Sequence, residues 1–180
     1  LWGNTILVLF ADHGSDLPRS KEFLYHEGLH SPLIIAAPGV CTPIAAGTQR
    51  DDLVSLMDVA ATSLALAGIG VPHDMDSRNV FDPNFHREYI FASSDRMSNV
   101  IDRVRALVGT DFHYIRNFMT DRPLMNWGHR EMIGLAAPDE SSFIAIRRLA
   151  EAGELTPAQA APYGDRVAEE LYDLTQDPDE

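Results

Sequence analysis

The sequence predicts an α/β fold joined to a small antiparallel α+β subdomain, and three observations carry the prediction. Residues 6–10 and 32–37 are almost unbroken apolar runs, the composition of strands covered on both faces in a parallel sheet. Residues 52–67 place Leu53, Met57, Ala60, Leu64 and Ala67 at helical spacing. Residues 103–108 and 112–116 alternate around Gly109-Thr110-Asp111, the pattern of a β-hairpin.

The elements follow in order. A first strand over 5–11 delivers Asp12-His13-Gly14 at its C-terminal end, and a polar loop carries Lys21 and Tyr25. A second strand over 32–37 stops at Pro38-Gly39. Asp51 and Asp52 favour a helix start, Gly68 a stop with Pro72 beyond it, and this helix is expected to pack on the sheet. Residues 73–87 are polar loop, and 88–92 read as a strand before the hairpin. Residues 117–140 are loop-like, with Pro123, Trp127 and Pro138. A helix is expected over 142–152, a short one opening at Thr156-Pro157 with threonine as N-cap, and a strand over 170–174. The expected division is a large α/β part over 1–73, a linker over 74–87 and a small subdomain over 88–180.

Composition bounds the function. A hydrophobic content of 45% and a charged content of 23% are globular values. The net charge of −13 argues against nucleic acid or an anionic membrane as main partner, because both need basic surface. A small anionic substrate in a locally basic pocket is compatible with it. The single cysteine, Cys41, excludes an internal disulfide framework and leaves the compartment open. No apolar run approaches the roughly 18–20 residues of a membrane span. The chain opens on Leu1, and two strands of buried type cannot cover their own faces and edges. The chain is therefore expected to be the C-terminal part of a larger protein, with an exposed sheet edge if it folds alone.

Asp12 and His13 carry the chemistry. Ligands of open α/β sheets bind beyond the carboxyl ends of the strands, and a carboxylate beside an imidazole at that place suits a metal ion. Adjacent side chains point to opposite sides of a strand, so both reach one ion only through a sharp turn, which Gly14 permits. The plainer reading is a helix cap or turn with a solvated His13. Lys21, seven residues past the glycine, is a candidate anion clamp, and the set suggests a metal-dependent hydrolase of sulfate or phosphate esters.

With Asp12-His13-Gly14, Lys21, Tyr25, Pro32 and Pro38-Gly39 in register, the chain resembles the sulfatase family of the alkaline-phosphatase superfamily. That family carries Asp-Asn-Gly or Asp-His-Gly, then Lys-x-x-x-Tyr-Glu-x-x-x-Arg-x-Pro. His26 stands where the family usually has Glu, and His30 where it usually has Arg. The relaxed spacing leans towards the sulfamidase, heparan N-sulfatase-like branch. Val54-Ser55-Leu56-Met57-Asp58 through Leu66-Ala67-Gly68 is similar to a family helix, and Arg103-Val104-Arg105-Ala106 with Tyr114-Ile115-Arg116 to its hairpin. The tail Glu170-Leu171-Tyr172-Asp173-Leu174, closing on Asp177-Pro178 and Glu180, is the most specific string.

The resemblance implies the C-terminal part of an alkaline-phosphatase-like sulfatase fold: the last strands of the large sheet plus the small antiparallel subdomain. It implies hydrolysis of sulfate esters or sulfamates, of a sugar or other sulfated small molecule, by a formylglycine nucleophile. A divalent cation, usually Ca²⁺, aligns the sulfate. Asp12 and His13 would be metal ligands and Lys21 the catalytic group holding the sulfate oxygens. His30, Asp95 and Arg96 are candidate substrate contacts, although solvated loop fits Asp95 and Arg96 as well. Hard calcium prefers oxygen to imidazole, so Mn²⁺ and Zn²⁺ stay open at His13. Cys41-Thr42-Pro43 begins like the nucleophile motif and then departs from it, and a loop cysteine is the better reading. The nucleophile and the remaining ligands are expected on a missing N-terminal part, so the chain alone is expected to be inactive. Family resemblance suggests a periplasmic, secreted or lysosome-like setting. Arg103 and Arg105 share a strand face and suit salt bridges, Tyr25 suits packing, and His73, His86, His113 and His129 show no ligand spacing. Two rivals stay open: a phosphodiesterase or phosphonate hydrolase of the same superfamily, and a truncated, non-catalytic binding module.

Overall fold

The computed structural model describes residues 2–15, 17–38, 44–97, 100–124 and 142–180. Gly39, Cys41, Trp127, His129 and Pro138, singled out above, lie outside the described residues. The chain forms two compact units, Leu1–Asp12 with Pro32–Ile90, and His13–Ser31 with Phe91–Glu180.

In the first unit, β1 (Leu7–Phe10) pairs with β2 (Leu33–Ala36). The pairing is antiparallel, with Leu7 opposite Ala36 and Phe10 opposite Leu33. This corrects the parallel, doubly covered strands read from the sequence. An apolar run reports how much burial a strand suits and says nothing of its direction. A parallel pair needs a long crossover, usually a helix, and among the described residues the connection here holds only the one-turn helix α1 (His26–Leu29). Both strands stay open to solvent, with Leu9 and Ile34 50% and 58% exposed.

Helix α2 (Asp58–Leu66) begins later than the periodicity suggests. The carboxylate of Asp58 accepts from the Ser55 backbone N–H at 2.9 Å, which folds the preceding residues into a turn. The same carboxylate takes the Arg78 backbone N–H at 2.8 Å and the Arg87 guanidinium at 2.6 Å. The Val80 N–H donates to the hydroxyl of buried Thr62, so the polar partners of the helix belong to the 78–87 loop. Gly68 ends it at φ 73°, as expected of a glycine stop.

The second unit is built on a four-stranded sheet in the order β3 (Ile90–Met97), β4 (Val100–Val108), β5 (Phe112–Asn117), β6 (Glu169–Asp173). The predicted hairpin is β4–β5, and the family tail is edge strand β6, antiparallel to β5. Alternation divides the sheet. Val104, Ala106, His113, Ile115 and Asn117 point to a buried face, which Phe23, Leu24 and Tyr25 cover. Phe112 and Leu171 point to the open face. Helix α3 (Ser142–Ala152) lies where predicted. Helix α4 (Pro157–Ala160) is opened by a capping box between Thr156 and Gln159, which satisfies two otherwise unpaired N–H groups. Among the described residues no helix is long and apolar enough to cross a membrane.

Candidate active site

Asp12 follows β1 as an exposed residue of the first unit, and His13 opens the second. The His13 Nδ1 lies 2.6 Å from the Gly14 carbonyl oxygen and donates to it. That bond leaves Nε2 as the ring's electron-pair donor, the tautomer a metal ligand requires.

The segment after Gly14 folds back on itself. The Gly14 N–H donates to the Gly28 carbonyl at 3.2 Å, and the Lys21 N–H to the Ser15 carbonyl at 3.0 Å. The fully buried Ser20 donates its hydroxyl to the Glu27 carbonyl at 2.9 Å. A Cβ on residue 14 would lie 1.8 Å from the Glu27 carbonyl oxygen, so the loop closes only on glycine. Arg19 and Glu22 sit at φ 65° and 82°, in the left-handed region disfavoured for residues with a Cβ. Lys21 lies between these two strained residues, half-buried, with its backbone fixed by the Ser15 bond.

Tyr25 packs, as its sequence context suggested. Its ring is buried under Arg19, whose guanidinium lies 4.1 Å from the ring centre, and it meets Tyr172 edge-on. Burial and the neighbouring Glu170 carboxylate push the hydroxyls of Tyr25 and Tyr172 far above their ordinary range, so both act as hydrogen-bond donors. His30 and His26 place ring nitrogens 2.9 Å apart. Burial, then the His26 ring, hold His30 below the ordinary imidazole value. His30 therefore cannot reproduce the fixed positive charge of the arginine usual at this family position.

Asp95 and Arg96 lie on β3. Asp95 forms an ion pair with Arg105 at 2.7 Å, and that hydrogen bond holds its carboxyl below the ordinary range. Arg103 stacks on Phe118 at 4.8 Å. Arg105 thus has the structural salt bridge read from the alternation, whereas Arg103 contacts an aromatic ring. The cavity enclosed by the second unit between Tyr25, Asn117 and Arg166 is about 10 Å³, room for one water and not for a sugar sulfate.

Among the described residues, no three His, Cys, Asp or Glu side chains converge as a metal cage. One carboxylate and one imidazole, the groups Asp12 and His13 carry, are a donor pair that suits Mn²⁺ or Zn²⁺ at least as well as Ca²⁺. Sequence reasoning missed the polar joints beneath the loop. His113 is 1% exposed and hydrogen-bonds the Glu180 carboxylate, whose second oxygen accepts from the His26 backbone N–H at 3.0 Å. The available signal was His113 at an inward position of an alternating strand.

Comparison with known proteins gives a consistent result. The family model described as Sulfatase matches residues 1–69. An ulvan-active sulfatase of Formosa agariphila is 32% identical over 97% of this chain and 28% of its own length. Arylsulfatase K of Xenopus laevis is 27% identical over 100% of this chain and 28% of its own. The chain thus spans little more than a quarter of the curated relatives it matches end to end. A solved structure of a protein in complex with its substrate D-glucosamine-2-N,6-O-disulfate shares the fold at a TM-score of 0.56 and 21% identity, over 98% of this chain and 29% of that one. The chain belongs to the sulfatase family, in whose fold it corresponds to the C-terminal portion.

Proposed function

We propose that the protein carrying this chain hydrolyses a sulfate ester or sulfamate of a sugar, and that this chain supplies one side of the site. The observation that carries the reading is the closed loop. Its backbone bonds tie Gly14 and Ser15, just after His13, to Gly28 and Lys21, and the 32% identity with a sulfatase runs through it. The sugar follows the glucosamine disulfate of the structural relative.

In this reading the Lys21 ammonium meets the sulfate oxygens and stabilises the negative charge that grows on them. The Asp12 carboxylate and His13 Nε2 are two ligands of a divalent cation, Ca²⁺ by family resemblance and Mn²⁺ or Zn²⁺ by donor chemistry. When bound, the cation polarises the sulfate, and a formylglycine elsewhere in the fold supplies the nucleophile. His30 offers a neutral ring nitrogen to the substrate, and Asp95 and Arg96 line its approach. The open side chains of Leu7, Leu9, Phe10 and Ile34 support a large domain completed by further polypeptide of the same fold.

The test uses the full-length protein and two substrates, a sulfated glucosamine and a phosphodiester. Release of inorganic sulfate with little phosphodiester cleavage supports the reading; the reverse preference moves the protein to the phosphodiesterase branch. Metal analysis of the same preparation should show the bound ion lost in Asp12→Ala, and unchanged metal content removes Asp12 from the ligand set.

A further inference from the structure

The loop bearing Lys21 needs an anchor. Arg19 and Glu22, at positive φ on either side of Ser20-Lys21, hold conformations that persist only where the surroundings over-determine them. Two glutamates of the tail, ten residues apart, grip adjacent residues of this loop. Glu170 projects from β6 to the covered face of the sheet, where its carboxylate receives the Tyr25 hydroxyl at 2.8 Å, the Tyr172 hydroxyl at 2.6 Å and the Asn117 amide at 2.6 Å. Glu180 takes the backbone N–H of His26 on one oxygen and the His113 ring on the other. The His113 and Glu180 side chains are each 1% exposed. A carboxylate buried to that degree is costly unless both oxygens have donors, and here each has one. A tail that merely closed the sheet edge would need neither.

We infer that Glu170 and Glu180 are positioning residues for Lys21, acting through Tyr25 and His26 to hold the loop in the strained form that fixes the lysine. The inference rests on Lys21 being the group that meets the sulfate. It also explains why the specific tail string and the specific loop string belong to one protein: they are the two halves of one joint.

Hydrogen exchange and kinetics on the full-length protein test it, with Glu180→Ala, Glu180→Gln and Glu170→Gln. In Glu180→Ala the amides of 21–30 should exchange at least tenfold faster, while those of 104–108 stay within twofold. The kcat for sulfate release should fall at least tenfold, with KM within threefold. Glu180→Gln keeps an oxygen for the His26 N–H and should restore most of the protection and rate; Glu170→Gln should loosen 21–30 less than Glu180→Ala. Unchanged loop amides overturn the inference, as does equal acceleration in loop and sheet. A loosened loop with an unchanged kcat overturns it too. A wild-type protein that releases no sulfate overturns the sulfatase reading alone, because the exchange data still decide whether the glutamates anchor the loop.

Discussion

The Tyr25 hydroxyl donates to the Glu170 carboxylate at 2.8 Å across 145 residues of sequence. Three donors converge on that carboxylate: Tyr25, Tyr172 and Asn117. Loop and tail are thereby joined by buried polar contacts, and such contacts are expensive to leave half made.

Tyr25→Phe should therefore destabilise the chain by about 1–3 kcal/mol, the cost of a buried acceptor short of one donor. Tyr172→Phe should act similarly, and the double variant should depart from additivity because both hydroxyls serve one carboxylate. Urea unfolding of the three variants checks this, and strict additivity would separate the two bonds.

The Glu180 joint predicts a pH dependence. Burial raises the Glu180 carboxyl, but hydrogen bonds from His113 and the His26 N–H outweigh this and hold it below its ordinary 4.5; Arg19 helps and Tyr172 also faces it. A carboxyl lowered by folding contributes stability that is full above the unfolded value and lost as pH falls through the folded one. The stability gap between wild type and Glu180→Gln should thus be widest at neutral pH and narrow as the pH falls below the ordinary 4.5. Urea midpoints across that range measure the gap, and a constant gap would contradict the assignment.

Asp58 is the corresponding joint of the first unit. It is fully buried and pairs with Arg87, whose side chain is 13% exposed. Asp58→Ala strands a largely buried guanidinium, for which a loss of about 3–5 kcal/mol is expected. Thermal or urea unfolding tests this; a change below about 1 kcal/mol would mean that Arg87 reaches solvent.

These joints mark the limit of what sequence could reveal. The hairpin, β6, α3 and the Thr156 cap were legible because alternation, helical spacing and capping are local signals. The direction of β1 and β2 was not, since Leu7–Phe10 carries a burial preference and no orientation. The start of α2 was hidden because the Asp58 carboxylate is taken by Arg78 and Arg87, 20 and 29 residues away. At the candidate site, Asp12, His13 and Lys21 stand out in the sequence as a motif, whereas the contacts that support the loop do not. His113 showed no ligand spacing because its partner, Glu180, lies 67 residues on.

Loop closure gives a further prediction. Gly14→Ala places a methyl group against the Glu27 carbonyl, a backbone atom that moves only if the whole loop does. A cost of about 1–3 kcal/mol or more is expected for such overpacking, with sulfate release lost together with stability. Full activity at unchanged stability would show that the loop has a second closed form.

In the proposed function Lys21, held in the closed loop, stabilises charge on a reacting sulfate. The most direct measurement is kcat for sulfate release by full-length Lys21→Ala, with the unfolding midpoint measured alongside. A fall of about 100- to 1000-fold is expected with stability nearly unchanged, because Lys21 is half-buried and its structural bond is made by its backbone. An unchanged kcat in a folded variant would contradict it.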